Sequence, residues 1–392
     1  MTAPAPANGA SLPKTADVVI VGGGVIGCSL AYHLASEGVD VLLLERETLG
    51  SQSTGRCAGG VRQQFSSELN VRMQRYSVAR FEQFEDEIGH PLDFRQIGYL
   101  FLLTTEEDVA SFREQLQMWR RCGLNEARWL SPAEAKALSP AIEVEDVLGA
   151  TFCPSDGIAS PNDVTAGYAA AARRRGARLA EGVEVHSIEV QGERVTGVLT
   201  SAGQIAAERV LIAAGAWSAA IAATAGIELP VEPYPRHVFV TGPAPAIART
   251  NPMTIDLQSS FYFHPEGDGV LFGMGERDER PTFDTTVDWS FLERVVGVAE
   301  RRFPALMELG VQTAWVGLYE MTPDHQPFLG ALDELAGLSC ACGFSGHGFQ
   351  MAPAVGRLLT DQLLRGSAEL DLAPFSPRRR LTGAWRGERN VV

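Results

Sequence analysis

The 392-residue chain carries 33 basic and 48 acidic side chains, a formal net charge of −15 at pH 7, and 45% hydrophobic residues. That charge argues against a nucleic-acid partner, whose phosphates are held by clustered Lys and Arg, and no apolar run reaches the roughly 18 to 20 residues that cross a bilayer. The length allows two domains or one large discontinuous one, while six cysteines without C-x-x-C spacing indicate neither a disulfide framework nor a metal site.

In chain order, residues 1–15 read as a flexible tail with no secretory signal pattern, and a cytoplasmic protein is expected. Residues 17–47, DVVIVGGGVIGCSLAYHLASEGVDVLLLERE, combine a short apolar strand (18–21), a G-x-G-x-x-G turn, a helical period (25–37) and a second apolar strand (39–44). The three glycines have separate tasks: Gly22 permits the tight turn, Gly24 lets backbone approach a pyrophosphate, and Gly27 lets helix and strand pack closely. The helix N-terminus then favours an anion. Glu45, ending the second strand, is placed to accept hydrogen bonds from ribose hydroxyls and would repel a 2′-phosphate, which disfavours NADP.

The following stretch, GSQSTGRCAGGVRQQFSSE, is long, polar and glycine-rich, as functional loops often are. Helices are expected over 69–88, 105–123 (with Thr105 as cap) and from Ser131 to before Pro140, with a strand over 97–103; residues 162–175 read as another helix, capped near Asn162. From Gly182 the pattern turns to strands separated at Gly192 and Gly203, ending in the apolar run 210–214 before Gly215. Strands at 237–240, 261–264 and 270–274 indicate an antiparallel sheet, followed by a helix over 288–303 stopped by Pro304. The last third holds strands at 313–318 and 338–342, where Cys340 and Cys342 read as core residues, and the glycine-rich GFSGHGFQ before a helix over 352–364. Lysine is nearly absent, with only Lys14 and Lys136.

With GGGVIG and Glu45, STGRCAGGVRQQF, ERVLIAAGAWS and GFSGHGFQMAPAVG in this order, the chain resembles the D-amino-acid oxidase superfamily of FAD-dependent oxidoreductases, in its sarcosine oxidase, glycine oxidase and dye-linked proline dehydrogenase branch. The resemblance implies an α/β fold: a two-dinucleotide-type Rossmann-like FAD domain, discontinuous over 16–85, 145–228 and 318–380, and a substrate domain (86–144 and 229–317) on a mixed, largely antiparallel sheet. It implies FAD contacts from Gly22, Gly24, Val25, Ile26, Gly27, Glu45 and Arg46, from the loop residues Ser53, Thr54, Arg56, Cys57, Ala58 and Gly59, from Val183, Ala214, Gly215 and Trp217, and from Gly343, Gly346, His347, Gly348, Phe349 and Gln350. The helix N-terminus behind that last loop can face the flavin region that becomes negative on reduction, and His347 is expected to face the flavin.

For substrate, a carboxylate in a dry pocket calls for Arg rather than Lys. Arg62 is the first candidate and Arg56 the second, the latter equally readable as a structural arginine; Tyr262 and His264 either line the pocket or pack in the sheet. Three departures matter. Gly317 stands where relatives attach flavin through a cysteine, and Arg56 where others use a histidine, so noncovalent FAD is expected. Leu271 or one of its neighbours replaces the lysine that relatives place near the flavin to activate oxygen, and Gln350 the lysine that often follows GHGF. The reading therefore favours a dehydrogenase that passes electrons to a carrier or partner subunit, in the latter case as a hetero-oligomer, over an oxidase.

The expected reaction is hydride transfer from the carbon next to a secondary or N-substituted amine (sarcosine, proline or an opine) to flavin N5, with hydrolysis of the imine. The rivals are a 2-hydroxy-acid dehydrogenase, a noncatalytic FAD-bound assembly factor or subunit, and an NAD-only dehydrogenase.

Overall fold

The computed structural model describes residues 12–276 and 279–391. The expected tail at 1–11 therefore lies outside the described residues, while Thr15 already opens the first strand. Two large sheets organise the chain.

In the first sheet, the strands Phe328–Ala331, Leu338–Cys342, Gly203–Ile212, Thr15–Val21, Val41–Leu44 and Arg178–Ala180 lie side by side, parallel except for the Phe328–Ala331 edge pair. Val19, Ile20, Leu42 and Leu43 are buried on both faces, as near-continuous apolar strands require. The helices Val25–Ser36, Pro161–Arg174 and Gly348–Arg365 cover one face, burying Leu30, Tyr168 and Leu358 in one cluster. An antiparallel meander through Val185–Gln191 and Arg194–Thr200, with the short helix Ser218–Ala223, covers the other.

The second sheet runs Val311–Met321, Glu232–Thr241, Gly269–Met274, Phe261–Glu266, Met253–Asp256, Tyr99–Leu103, Gly149–Cys153 and Arg128–Leu130. Every pairing in it is antiparallel except that of Met253–Asp256 with Tyr99–Leu103. Strand alternation divides its residues between two clusters: Phe239, Phe261, Phe263 and Phe272 pack under the helix Trp289–Arg302, whereas Val238, Tyr262 and Leu271 face the opposite way. Gly149–Cys153 belongs to this second sheet, although it follows residue 145.

Several element boundaries differ from expectation. The helix expected over 69–88 breaks at Gln83 into Glu68–Glu82 and Phe84–Ile88. Ser160, whose side chain accepts from the Asp163 amide at 3.2 Å, caps the next helix in place of Asn162. The strand expected at 237–240 extends over Glu232–Thr241, because Pro233 and Pro235 pair only with Val311–Met321 and need no donor on the open side. The final helix starts at Gly348, four residues ahead of the periodic segment, since Phe349, Met351 and Ala352 are buried and tertiary packing overrides the glycine content.

Candidate active site

One cavity of about 490 Å³ lies between the two sheets, lined by both ends of the chain's motif set. At one end are Gly22, Gly24, Val25, Ile26, Glu45, Arg46, Val183, Ala214, Gly215 and Trp217; at the other, Arg62, Tyr99, Arg236, Tyr262, Tyr319 and the 346–350 loop. Ser53, Thr54, Arg56, Cys57 and Ala58 line it between them.

The glycine turn has the expected division of labour. Gly22 has φ +112°, and a Cβ there would lie 2.4 Å from the Ala213 carbonyl; on Gly27 it would lie 2.0 Å from the Gly22 carbonyl. Gly24 is different, for a Cβ would meet only the Thr54 hydroxyl, at 3.2 Å, so its open side is the cavity. The Val25 amide at the helix start donates to that same hydroxyl. Glu45 accepts from the Gly23 amide (2.7 Å) and the Glu47 amide (2.9 Å), which fixes its carboxylate against the turn. Arg46 lies 4.1 Å above the Trp217 ring. Gly27, Gly59 and Gly343 do not reach the cavity wall. They shape what stands behind it: a Cβ on Gly59 would meet the Ala159 carbonyl at 2.5 Å, and one on Gly343 the Thr322 methyl at 2.4 Å.

At the other end, His347 caps the helix Gly348–Arg365 and is 4% exposed. Its Nε2 lies 3.4 Å from Arg62 Nη2. A guanidinium can only donate, so Nε2 accepts and the ring proton sits on Nδ1. Burial and the neighbouring Arg62 charge hold the imidazole pKa well below its ordinary value, so the ring is neutral. Nδ1 is buried without a hydrogen-bond partner. It is a buried orphan donor on a residue that lines the cavity, and Ser53 Oγ is an unpaired buried polar atom on another lining residue.

Arg62 also lines the cavity, but its fork is engaged. It donates to the carbonyls of Gln64 (2.9 Å) and Asn390, and it stacks 3.8 Å above Phe65. The Gln350 side chain accepts from the Arg62 amide at 2.8 Å. Arg56 donates to the Val316 carbonyl, while Trp315 Nε1 donates back to the Arg56 carbonyl, which supports the structural reading of that arginine. Gly317 packs against Arg56, where a Cβ would lie 3.3 Å from its backbone oxygen. The Cys57 thiol lines the cavity and is pushed up to about 11 by burial, so it stays protonated.

Tyr262 lines the pocket as expected, with Gly273 opposite it leaving room for the phenol. His264 does not line the cavity. It is fully buried, with Nδ1 3.0 Å from the Pro265 carbonyl and Nε2 3.1 Å from the Ala58 carbonyl, so its ring ties the sheet to the 53–59 loop. The same alternation that turns Tyr262 to the cavity turns His264 to that side too, two residues too far along to reach the opening.

The sequence reading missed Tyr99, Arg236, Tyr319 and Glu320 on the wall. Pairing places Arg236 opposite Gly317, and its guanidinium lies 4.8 Å above the Tyr319 ring. A cation among apolar strand neighbours was the signal available for Arg236. Glu320 accepts from the Gly343 amide at 2.8 Å, and burial pushes its pKa up to about 7.

The dinucleotide turn, the open face of Gly24 and the orphan polar atoms of lining residues fit a bound FAD. The comparisons with known proteins agree. Residues 17–362 match the family described as FAD dependent oxidoreductase. L-proline dehydrogenase from P. horikoshii superimposes with a TM-score of 0.90 at 36% identity over 96% of this chain and 100% of that one. Glycine oxidase from Geobacillus kaustophilus does so with a TM-score of 0.83 at 31% identity, over 93% of this chain and 98% of the other. Human mitochondrial sarcosine dehydrogenase is 31% identical over 94% of this chain, which spans only 42% of that protein's length. The chain thus belongs to the FAD-dependent oxidoreductase family.

Proposed function

We propose that the chain catalyses FAD-dependent oxidation of the C–N bond of an amino acid, with a secondary or N-substituted amine such as sarcosine, proline or an opine-like compound as substrate. The first sheet would carry the cofactor, and the second would form the wall over the substrate. The observation that carries this reading is one cavity whose walls join a dinucleotide turn to a neutral, orphan His347 Nδ1–H and two buried tyrosines, Tyr99 and Tyr262. When bound, FAD supplies the hydride acceptor.

The protein's own part is positioning and electrostatics. Val238, Met253, Ile255 and the two phenols exclude water from the substrate wall. Burial holds Tyr99 and Tyr262 above the ordinary phenol range, so both remain neutral hydrogen-bonding groups. No dedicated base is required if the amine enters unprotonated. His347 Nδ1–H can donate to developing negative charge, with its tautomer fixed by Arg62.

A dehydrogenase is favoured over an oxidase. Lys14 precedes the first strand, Lys136 donates to the Ile142 carbonyl at the surface, and neither lines the cavity. Leu271 is buried in an apolar cluster instead. Gly317 offers no nucleophile, which supports noncovalent FAD. The names of the three relatives given above point to amino acids as substrates and divide between dehydrogenase and oxidase.

Anaerobic titration with N-methyl and cyclic amino acids tests the reading. Loss of absorbance at about 450 nm, where oxidised flavin absorbs, followed by slow return of colour in air, is the expected result. A flavin that no amine bleaches would overturn the proposal, and rapid recolouring in air would overturn the dehydrogenase assignment.

A further inference from the structure

Among the described residues four arginines line the cavity, and their partners sort them. Arg46 lies on Trp217 at the nucleotide end, Arg56 is spent on the Val316 carbonyl, and Arg62 is spent on the carbonyls of Gln64 and Asn390. Arg236 differs from these. Apart from the adjacent Pro235 carbonyl, its fork is held by a carboxylate, that of Glu279, in a pair whose side chains are only 15% and 10% exposed. Its Nε is buried with no hydrogen-bond partner. A guanidinium presents a planar fork that suits a carboxylate bidentately; here one Nη carries the Glu279 anion and the buried Nε is unpaired, so the fork is not committed to backbone carbonyls as that of Arg62 is.

The location is right for a substrate. Arg236 shares a face of the second sheet with Val238, and cross-strand pairing places Tyr262 and Tyr319 on that face. Glu279 reaches it from the segment between the strand Gly269–Met274 and the helix Trp289–Arg302. The described part of that segment is fixed at the rim by Thr282, whose amide donates to the Pro233 carbonyl (2.8 Å), and by Phe283, which stacks 5.3 Å from Trp217. Trp217 itself lines the nucleotide end, so this segment bridges the two ends of the cavity with Glu279 at its substrate side.

Resting on the amine-oxidation reading, we propose that Arg236 is the anchor for the substrate carboxylate, and that Glu279 is an internal carboxylate that holds the anchor until substrate displaces it. A buried cation left without an anion is costly, so the resting enzyme keeps one in place. The entering carboxylate replaces it charge for charge, and Glu279, freed toward the rim, returns to water. The substrate class selected is one whose amine-bearing carbon also carries a carboxylate.

Calorimetric titration of the FAD-loaded protein with pyrrole-2-carboxylate, a flat carboxylate used as an unreactive probe, and with its neutral amide tests the assignment. Arg236→Gln is expected to weaken the acid about a hundredfold while leaving the amide unchanged. Glu279→Gln should tighten the acid about tenfold by removing the competing anion. Arg236→Lys keeps the charge and loses the fork, and it falls between wild type and Arg236→Gln. An Arg236→Gln protein that retains its flavin colour and binds the acid as wild type does would overturn the anchor, as would a wild type that binds neither probe. If Arg236→Gln does not fold, the Glu279→Gln result decides: acid binding that is unchanged or weaker overturns the displacement. The probe is not a substrate, so failure of every amine to bleach the wild type would tell against the amine-oxidation reading separately from this carboxylate site.

Discussion

The two ends of the cavity are built in opposite ways. The nucleotide end is made of main chain: Gly22, Gly24 and the Val25 amide shape it, and the Glu45 carboxylate is held by two backbone amides. The opposite end, where we propose that substrate binds, is made of side chains from distant strands, with Arg236, Tyr262 and Tyr319 brought together by the register of three β-strand pairs. Where the backbone packs on itself, at Gly22 and Gly27, there is no room for an added atom, whereas a wall built of side chains can be changed one residue at a time.

The most damaging test of this contrast is Gly27→Ala. Its Cβ would lie 2.0 Å from a backbone oxygen that cannot rotate away. A loss of about 3 kcal/mol or more is expected, read as a large drop in Tm and in retained flavin; a variant with the wild-type Tm would break the argument. At the other end, His347→Ala should leave flavin content near normal yet slow anaerobic bleaching about a hundredfold, the usual scale for losing one oriented donor. Equal bleaching rates would remove His347 from the chemistry.

Glu45→Gln probes the backbone-built end more gently. The amide nitrogen cannot accept from one of the two amides that Glu45 now satisfies, and FAD should bind about tenfold more weakly. Dialysis of FAD from the two proteins reads the difference directly, and an unchanged dissociation constant would show that the carboxylate merely decorates the turn.

A further test concerns pH. Glu320 has a folded pKa of about 7, raised by burial above an unfolded value of roughly 4.3. The folded state thus keeps a proton that the unfolded state releases. The stabilisation is complete below the unfolded value, is lost as pH rises toward 7, and is constant above it. Asp156 is raised to about 7 in the same way, and the depressed His33, His264 and His347 act in the opposite sense over this window, so the test is a difference: the Tm of wild type minus that of Glu320→Gln, which can still accept from the Gly343 amide, should fall from pH 4.5 to 7 and level off above it. A difference that is flat or rises over the window would contradict the assignment.

Much of this molecule was legible along the chain. The strand, glycine turn, helix and Glu45 lie within one short segment, and each signal there is local: backbone conformation, apolar period, a terminal carboxylate. The cap at Thr105 and the stop at Pro304 were readable for the same reason. The Gly348 helix start was not, because burial against the core outweighs local propensity there.

Tertiary structure alone decided the substrate wall. Arg236 and Glu279 lie 43 positions apart, and Arg236 and Tyr319 meet only through pairing of Glu232–Thr241 with Val311–Met321. It also reassigned residues whose type was right and whose partners no local pattern reveals: Arg62 to backbone carbonyls, and His264 to the carbonyls of Ala58 and Pro265. The sequence by itself determined the glycine turn and the carboxylate beside it, since main-chain geometry near a glycine turn is local. Which side chains line the other end of the cavity was settled by strand register, which is a property of the whole sheet.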